Sequence, residues 1–297
     1  MRRKFNWTDK QLDKLKKVQE ILADLEKYKP LTLRQIFYQL VAREYIQNTK
    51  SQYTLLSNLL KHARLDGYIS WDDIEDRVRR FEDLSGWPGP DDFISAHLKR
   101  FLSGYSRDLL QTQEKYIEIW IEKDALSALF VRAAEPYTVP VVVCRGFSSV
   151  SFLNDFKERI SWHEDRRPVM LYFGDFDPSG VVMLEAMEET LRDEFKIPDI
   201  EFKRIALLKE DIEKYRLPHN PDAIKEHDTR KDKHVEKYGE LAVELDALRP
   251  DILIDRIETA IRAELDLDAF QDETEKQQDD LDLLKRKKKE ILAFFEQ

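Results

Sequence analysis

Three acidic residues stand directly after two apolar segments of the sequence. Glu122 follows Tyr116–Ile121, and Asp175 and Asp177 follow Val169–Phe173. Both apolar segments have the length and composition of buried strands, and two acids that are two residues apart face the same way in an extended chain. Carboxylates brought together repel each other unless a cation such as Mg²⁺ or Mn²⁺ neutralises them. The pattern predicts a metal site held by Glu122, Asp175 and Asp177.

The residues around the acidic pair fit such a site. Gly174 and Gly180 allow tight turns and a close approach of a ligand. Pro178 suits the first turn of a following helix, whose N-terminus favours an anion. The alternative is that the acids are helix caps or solvated loop charges, which is the commoner role for any one acid taken alone.

Other polar side chains near the strand ends extend the prediction. Lys123 comes directly after the first carboxylate, and Arg145 and Ser148 follow another apolar strand. Each of these side chains could bind a phosphate. For Lys123 the alternative is a simply solvated side chain. Glu244 and Asp246 could form a second metal site or lie at a helix N-terminus.

Strands and helices alternate through the middle of the chain. The predicted strands are Tyr116–Ile121, Val139–Cys144, Val169–Phe173 and Ile200–Ala206, separated by predicted helices at Asp124–Ala134, Ser149–Ile160 and Ser179–Phe195. This alternation predicts an α/β fold with a parallel sheet that is covered on both faces. Ligands bind beyond the carboxyl ends of such strands, which is where the acidic residues fall.

The N-terminal region has a different pattern. Helices are predicted at Asp9–Tyr28, from Thr32, and at Ser51–Asp66, followed by a strand-like piece at Tyr68–Trp71. Three helices and a small β-wing predict a winged-helix DNA-binding domain over residues 1–88, with a second domain over residues 89–297. In such domains one helix enters the major groove. Here that is the third helix, with Lys61 and Arg64 near its end.

Charge is distributed unevenly along the 297 residues. The net charge is -10, but residues 1–64 contain 14 Lys or Arg and 6 Asp or Glu, a difference of +8, so the remainder carries -18. A basic N-terminal region could contact phosphates, and an acidic remainder could hold cations. Ordinary helix surface charge is the alternative explanation.

Two further observations narrow the class of protein. The apolar runs are far shorter than the roughly 20 residues that a membrane span needs, and the charged N-terminus lacks the apolar core of a secretory signal. Cys144 is the single cysteine, so an internal disulfide and a cysteine-based zinc site are excluded. We expect a cytoplasmic protein without a membrane partner.

The acidic segments resemble the Toprim domain shared by topoisomerases, primases and some nucleases. That family has a Glu after its first strand and an Asp-x-Asp after its third, which match Ile117–Ala125 and Leu171–Gly180. The second segment is most similar to that of the topoisomerase VI A subunit and its meiotic double-strand-break relative. The order of a winged helix before a Toprim domain also matches. Val243–Leu248 resembles the Glu-rich element, ending in Ala-Leu, that lies near the end of that fold. The resemblance covers about residues 31–263 and is nearest to small stand-alone A-like proteins.

The resemblance implies a DNA-cleaving transesterase. The family's Arg-x-x-aromatic-Tyr element matches Arg34–Tyr38, which places the catalytic tyrosine at Tyr38 and gives Arg34 and Glu122 assisting roles. It further implies Mg²⁺, a homodimer, a nucleoid-associated location and, because no ATPase motif is present, a possible separate ATPase subunit. Two alternatives remain: a Toprim nuclease that uses activated water while Tyr38 is structural, and a non-catalytic DNA-binding protein.

Overall fold

Four parallel strands form the central sheet of the protein. The computed structural model describes residues 5–75, 86–144, 150–197, 199–220, 235–236 and 238–295. The sheet strands are β3 (Lys115–Ile121), β4 (Val141–Val143), β5 (Arg167–Phe173) and β6 (Glu201–Ala206), in the order β4-β3-β5-β6. All three pairings are parallel, so the predicted α/β class with a parallel sheet is confirmed.

Helices cover the sheet because its side chains are apolar on both faces. Trp120, Met170 and Tyr172 pack on one face against α6 (Val150–Ser161) and α7 (Pro178–Glu189). On the other face, the Phe173 ring lies 4.9 Å, centroid to centroid, from Phe130 of α5 (Ser127–Ala134). The described part of this region also contains α8 (Lys209–Tyr215) and α9 (Pro250–Glu264).

The N-terminal region contains the helices α1 (Asp9–Asp24), α2 (Leu33–Ala42) and α3 (Lys50–Leu65). The side chains of Thr8, Thr32 and Thr49 cap their N-termini by accepting from the backbone amide three residues on, which satisfies an otherwise unpaired donor. Apolar faces from all three helices are buried, among them Leu15, Val18, Ile21, Ile36, Leu40, Leu56 and Leu60.

The β-wing differs from the sequence prediction. The prediction of a strand at Tyr68–Trp71 was wrong, because Ser70 caps a single 3-10 turn at Trp71–Asp73. Two-residue strands lie instead on either side, with β1 (Leu31–Thr32) parallel to β2 (Ile74–Glu75). The serine and aspartate side chains bond to nearby backbone, and this local pairing outcompetes an extended strand.

The chain divides into two compact units. One contains Met1–Arg77 and Lys115–Ala263, and therefore both the N-terminal helices and the sheet. The other contains Val78–Glu114 and Glu264–Gln297. Its helices are α4 (Pro90–Arg100) and α10 (Leu267–Phe295). Across the described residues, no helix combines the length and apolarity that crossing a membrane requires.

Candidate metal and nucleic-acid site

The predicted acidic residues lie together at the carboxyl edge of the sheet. Strands β3 and β5 are neighbours in register, with Ile121 opposite Phe173, and the Glu122 amide donates to the Phe173 carbonyl at 3.0 Å. The Glu122 carboxylate then accepts from the backbone amide of Asp175 at 3.1 Å. Register between two parallel strands therefore brings the first carboxylate to the base of the Asp175–Asp177 segment.

Asp175 is buried and is held by a segment distant in sequence. An antiparallel bridge joins Phe176 to Val243, and the Leu245 amide donates to Asp175 Oδ1 at 2.8 Å. Burial raises the pKa of Asp175 to about 7, although the nearby Lys123 ammonium opposes the rise. A positive neighbour favours the ionised form of a buried carboxylate.

Lys123 supplies that positive charge to three carboxylates at once. Its Nζ lies 3.1 Å from Asp175 Oδ2, 2.8 Å from Glu244 Oε2 and 2.8 Å from Asp246 Oδ2. Burial disfavours the charge on Lys123, but Asp246, Asp175 and Glu244 outweigh that effect and raise its pKa. The sequence predicted Lys123 as a phosphate ligand, whereas the structure places its ammonium group among acidic side chains.

Glu244 connects the carboxylates to the N-terminal helices. Its Oε2 accepts from Arg34 as well as from Lys123, and its Oε1 accepts from Asn220 Nδ2 at 3.0 Å. Burial opposes ionisation of Glu244, yet Lys123 and Arg34 prevail and lower its pKa. Arg34 on α2 and Glu244 are 210 residues apart in sequence, so no local pattern indicates this ion pair.

Asp246 is the most deeply buried acid of the group. Its side chain has 0% exposure and lies next to Lys123. Within the described ranges neither of its carboxylate oxygens accepts a hydrogen bond, so the Lys123 ion pair is the contact that compensates its charge. A buried carboxylate with so few donors is costly unless a cation neutralises it.

Asp177 has a second role beside its place in the acidic group. Its Oδ1 accepts from the Gly180 amide at 2.7 Å and caps α7. A Cβ atom at Gly180 would lie 2.4 Å from the Asp175 carbonyl oxygen, so the close approach of helix and strand end requires glycine there. Both the capping and the functional interpretations of Asp177 in the sequence are therefore compatible with its position.

Arg204 was missed by the sequence analysis. From β6 it donates to the Leu207 and Gly180 carbonyls at 3.0 Å each and to the Asp175 carbonyl. Its guanidinium also lies over the Tyr172 ring, 5.4 Å from the centroid. An arginine within an otherwise strand-like segment was the available signal, because such a charge needs several acceptors when it is buried.

Tyr38 lies in a cavity that adjoins the carboxylates. The cavity has a volume of about 380 Å³ and is lined by Arg34, Phe37, Tyr38, Asn48, Thr49, Lys50, Tyr53, Asn220 and Glu244. Tyr38 is 3% exposed, and burial together with Glu244 raises the pKa of its phenol, while Lys123 and Arg34 act in the opposite direction. Tyr38 and Glu244 of the same chain thus line one cavity.

Two of the other predicted phosphate contacts, Lys61 and Arg64, belong to α3. Lys61 is exposed on α3, and the Arg64 guanidinium stacks over Trp71 at 4.4 Å from the ring centroid. Arg145 and Ser148 fall outside the described residues.

The donor set suits a divalent metal in its chemistry. Glu122, Asp175, Asp177, Glu244 and Asp246 supply hard carboxylate oxygens, the ligands that Mg²⁺ and Mn²⁺ prefer. Burial also raises the pKa of Glu122, and Asp246 has buried oxygens without hydrogen bonds. In the part of the chain that the structure describes, no three such side chains are already arranged as a ligand set, and Lys123 contacts three of the carboxylates. The residues therefore fit a metal, with Lys123 as the competing cation.

No protein-family model matches this chain, and no curated protein shows significant similarity to it.

Proposed function

We propose that this protein is a Mg²⁺-dependent enzyme that cleaves DNA strands by transesterification through Tyr38, in the manner of a topoisomerase VI A subunit. The observation that supports this most is the shared cavity, in which Tyr38 and Arg34 lie beside Glu244. Glu244 is joined through Lys123 to Asp175. A tyrosine and an arginine of α2 therefore line a cavity together with a carboxylate that is linked to the strand-end acids.

The proposed reaction exchanges one phosphodiester for another. The Tyr38 oxygen bonds to phosphorus, the bond from phosphorus to a sugar oxygen breaks, and the phenolic proton is transferred so that the sugar leaves as a hydroxyl. No oxidant or cosubstrate is consumed, and the strand remains attached to the protein. A Mg²⁺ ion held by Glu122, Asp175 and Asp177 would neutralise charge on the phosphate and the leaving oxygen.

The side chains around Tyr38 divide the remaining work. Burial and Glu244 raise the pKa of Tyr38, so its proton is hard to remove. The nearby positive charges of Arg34 and Lys123 lower that pKa and so assist the loss of the proton. Arg34 is held by Glu244 and can donate to a phosphate from a fixed position. In this proposal DNA and a second copy of the chain are the partners, and any ATPase activity belongs to a separate subunit.

Hydrolysis by activated water is the second candidate. The low exposure of Tyr38, 3%, favours it, because a buried phenol must move or be uncovered before it meets a DNA phosphate. In that case the carboxylate centre cuts DNA and Tyr38 only packs against Phe37, whose ring centroid is 5.4 Å away.

One incubation tests both candidates. Supercoiled plasmid is mixed with the protein and Mg²⁺, and the products are separated with and without protease digestion. Protease-dependent release of nicked or linear DNA supports transesterification, whereas cleavage without attached protein supports hydrolysis. Absence of cleavage over a range of Mg²⁺ and Mn²⁺ concentrations contradicts both.

Asp175→Asn tests the assignment of the centre. It removes the charge of a carboxylate that contacts Lys123 while keeping its shape, and we expect loss of cleavage. Glu189→Gln, at an exposed position on α7, is the matched control and should retain full activity. Undiminished cutting by the Asp175 variant would refute the site.

A further inference from the structure

We propose that Lys123 occupies a cation-binding position formed by Asp175, Glu244 and Asp246, and that a divalent cation takes this position when the lysine charge is removed. The inference deepens the proposed function, because it concerns the same carboxylate centre. It assigns Lys123 as a built-in counter-cation, so the native chain binds one divalent ion fewer than its carboxylates can hold.

The geometry of Lys123 is that of a cation enclosed by its ligands. Three oxygens from three different residues lie within 2.8–3.1 Å of Nζ, and the side chain is only 15% exposed. The ammonium group donates a hydrogen bond to Glu244 and forms ion pairs with Asp175 and Asp246. The residues come from the ends of β3 and β5 and from the segment after the Phe176–Val243 bridge, so the position is fixed by tertiary structure.

Asp246 provides the independent sign that a cation belongs here. Its side chain is fully buried, and in the described part of the chain its oxygens accept no hydrogen bond. By contrast, Asp175 also accepts from the Leu245 amide, and Glu244 from Asn220 and Arg34. Removing the lysine charge therefore leaves Asp246 without compensation, and an oxygen-preferring divalent ion restores it.

Lys123→Met tests the proposal, because methionine keeps an unbranched side chain of similar length without the charge. The metal-stripped protein is titrated with Mn²⁺ in a calorimeter, in the absence of DNA. We expect the variant to bind one Mn²⁺ more per chain than the native protein. An unchanged stoichiometry overturns the proposal.

Three control variants test whether the additional Mn²⁺ ion binds specifically at the Lys123 position. Lys123→Arg keeps the charge and should bind the native number of ions. Lys29→Met removes another lysine that bridges two carboxylates, Glu26 at 2.5 Å and Asp73 at 2.9 Å. Glu26 is 70% exposed, so this variant should also keep the native number. Adding Asp246→Asn to Lys123→Met should abolish the extra ion, and its survival overturns the assignment of Asp246.

Thermal unfolding covers the case in which Lys123→Met is poorly folded. With a metal chelator present we expect a lower Tm than that of the native protein, because three carboxylates lack their cation. Mn²⁺ should restore the Tm, and a failure to restore it overturns the proposal. The proposed function is tested separately, by the number of Mn²⁺ ions that the native chain binds and by plasmid cleavage. One additional Mn²⁺ in Lys123→Met without any DNA cleavage would support this inference and contradict the proposed function.

Discussion

Tyr38 combines a buried ring with a place on the wall of the cavity next to Glu244. In the transesterification mechanism its oxygen becomes covalently attached to DNA, whereas in hydrolysis it does not react. The two mechanisms therefore differ at a single oxygen atom, which a Tyr→Phe substitution removes with little change in packing.

Tyr38→Phe is expected to abolish covalent protein–DNA adducts and to reduce plasmid cleavage by at least roughly a hundredfold, as loss of a nucleophile does. Adducts are measured by the shift of labelled DNA on a denaturing gel before and after protease treatment. Tyr45→Phe is the control, because Tyr45 is 39% exposed and Phe retains the ring that Lys17 faces. Full cleavage without adducts in both proteins would favour hydrolysis.

Gly180 is expected to tolerate no side chain. Its missing Cβ would meet the Asp175 carbonyl oxygen at 2.4 Å, so Gly180→Ala should lower the free energy of unfolding by about 1–3 kcal/mol, despite the better helix propensity of alanine. Urea denaturation measures this change. Gly89→Ala is the control, because its nearest contact would be 3.8 Å away, and a loss of similar size there would contradict the steric explanation.

Strand β3 carries a charged residue at its centre. Glu118 is fully buried and accepts from Tyr116 at 2.7 Å, Trp120 at 2.8 Å and Arg159 of α6 at 2.7 and 3.0 Å. The two hydrogen bonds from Arg159 tie α6 to the sheet, whereas those from Tyr116 and Trp120 lie within β3. Removal of the arginine would leave the buried charge with neutral donors only.

Arg159→Leu should lower the free energy of unfolding by about 2–3 kcal/mol, at or below the range for breaking a buried pair because Arg159 is itself partly exposed. Adding Glu118→Gln should recover part of this loss, since the uncompensated charge is then absent. Arg167→Leu should have an effect below about 0.5 kcal/mol, because that arginine is 57% exposed. A double variant no more stable than Arg159→Leu would show that charge is not the cause.

The four strands of the central sheet were predicted to within two residues at each end, and the reason is physical. Val169–Phe173 is continuously apolar, and Tyr116–Ile121 is apolar except for Glu118, because both faces of a parallel sheet are covered. The structure extends these segments to Arg167–Phe173 and Lys115–Ile121 and shortens the predicted Val139–Cys144 to Val141–Val143.

Helix ends and long-range contacts were harder to predict. The helix predicted at Ser179–Phe195 begins one residue earlier, and its α-helical part ends at Glu189, where a π-helical segment follows at Thr190–Glu194. In the site, the strand-end acids were predictable from local pattern. The ion pairs of Lys123 with Glu244 and of Arg34 with Glu244 span 121 and 210 residues, so they depend on tertiary packing that local sequence does not encode.

The second unit of the molecule depends on a buried acid of its own. Glu273 on α10 is 2% exposed and accepts from Arg107 at 2.6 Å and from Lys276 at 2.7 Å. Hydrogen bonds from Lys276 and Arg107 lower the pKa of Glu273 to about 2. The folded form therefore favours ionised Glu273 more strongly than the unfolded chain does.

Because the pKa is lower in the folded form, the stability that Glu273 contributes is full above its ordinary pKa of about 4.5 and is lost as pH falls towards 2. The difference in unfolding free energy between the native protein and Glu273→Gln should shrink over that interval. Denaturant unfolding between pH 6 and about 2.5 measures it. Glu275→Gln, at an exposed position, should differ little from the native protein at any pH, and a constant gap for Glu273→Gln would contradict the linkage.

The bridge between Phe176 and Val243 determines when the carboxylate centre can assemble during synthesis. It brings together Asp175 and the Glu244–Asp246 segment, which ribosomes synthesise some seconds apart at about 5–20 residues per second. A growing chain thus has its tyrosine and first acids long before the last ones, and we expect the centre to assemble late. In refolding followed by pulsed hydrogen exchange, the Leu245 amide should be protected after those of β3 and β5. The carboxylate centre would in this way remain incomplete until the Glu244–Asp246 segment has been synthesised and has paired with the strand ends.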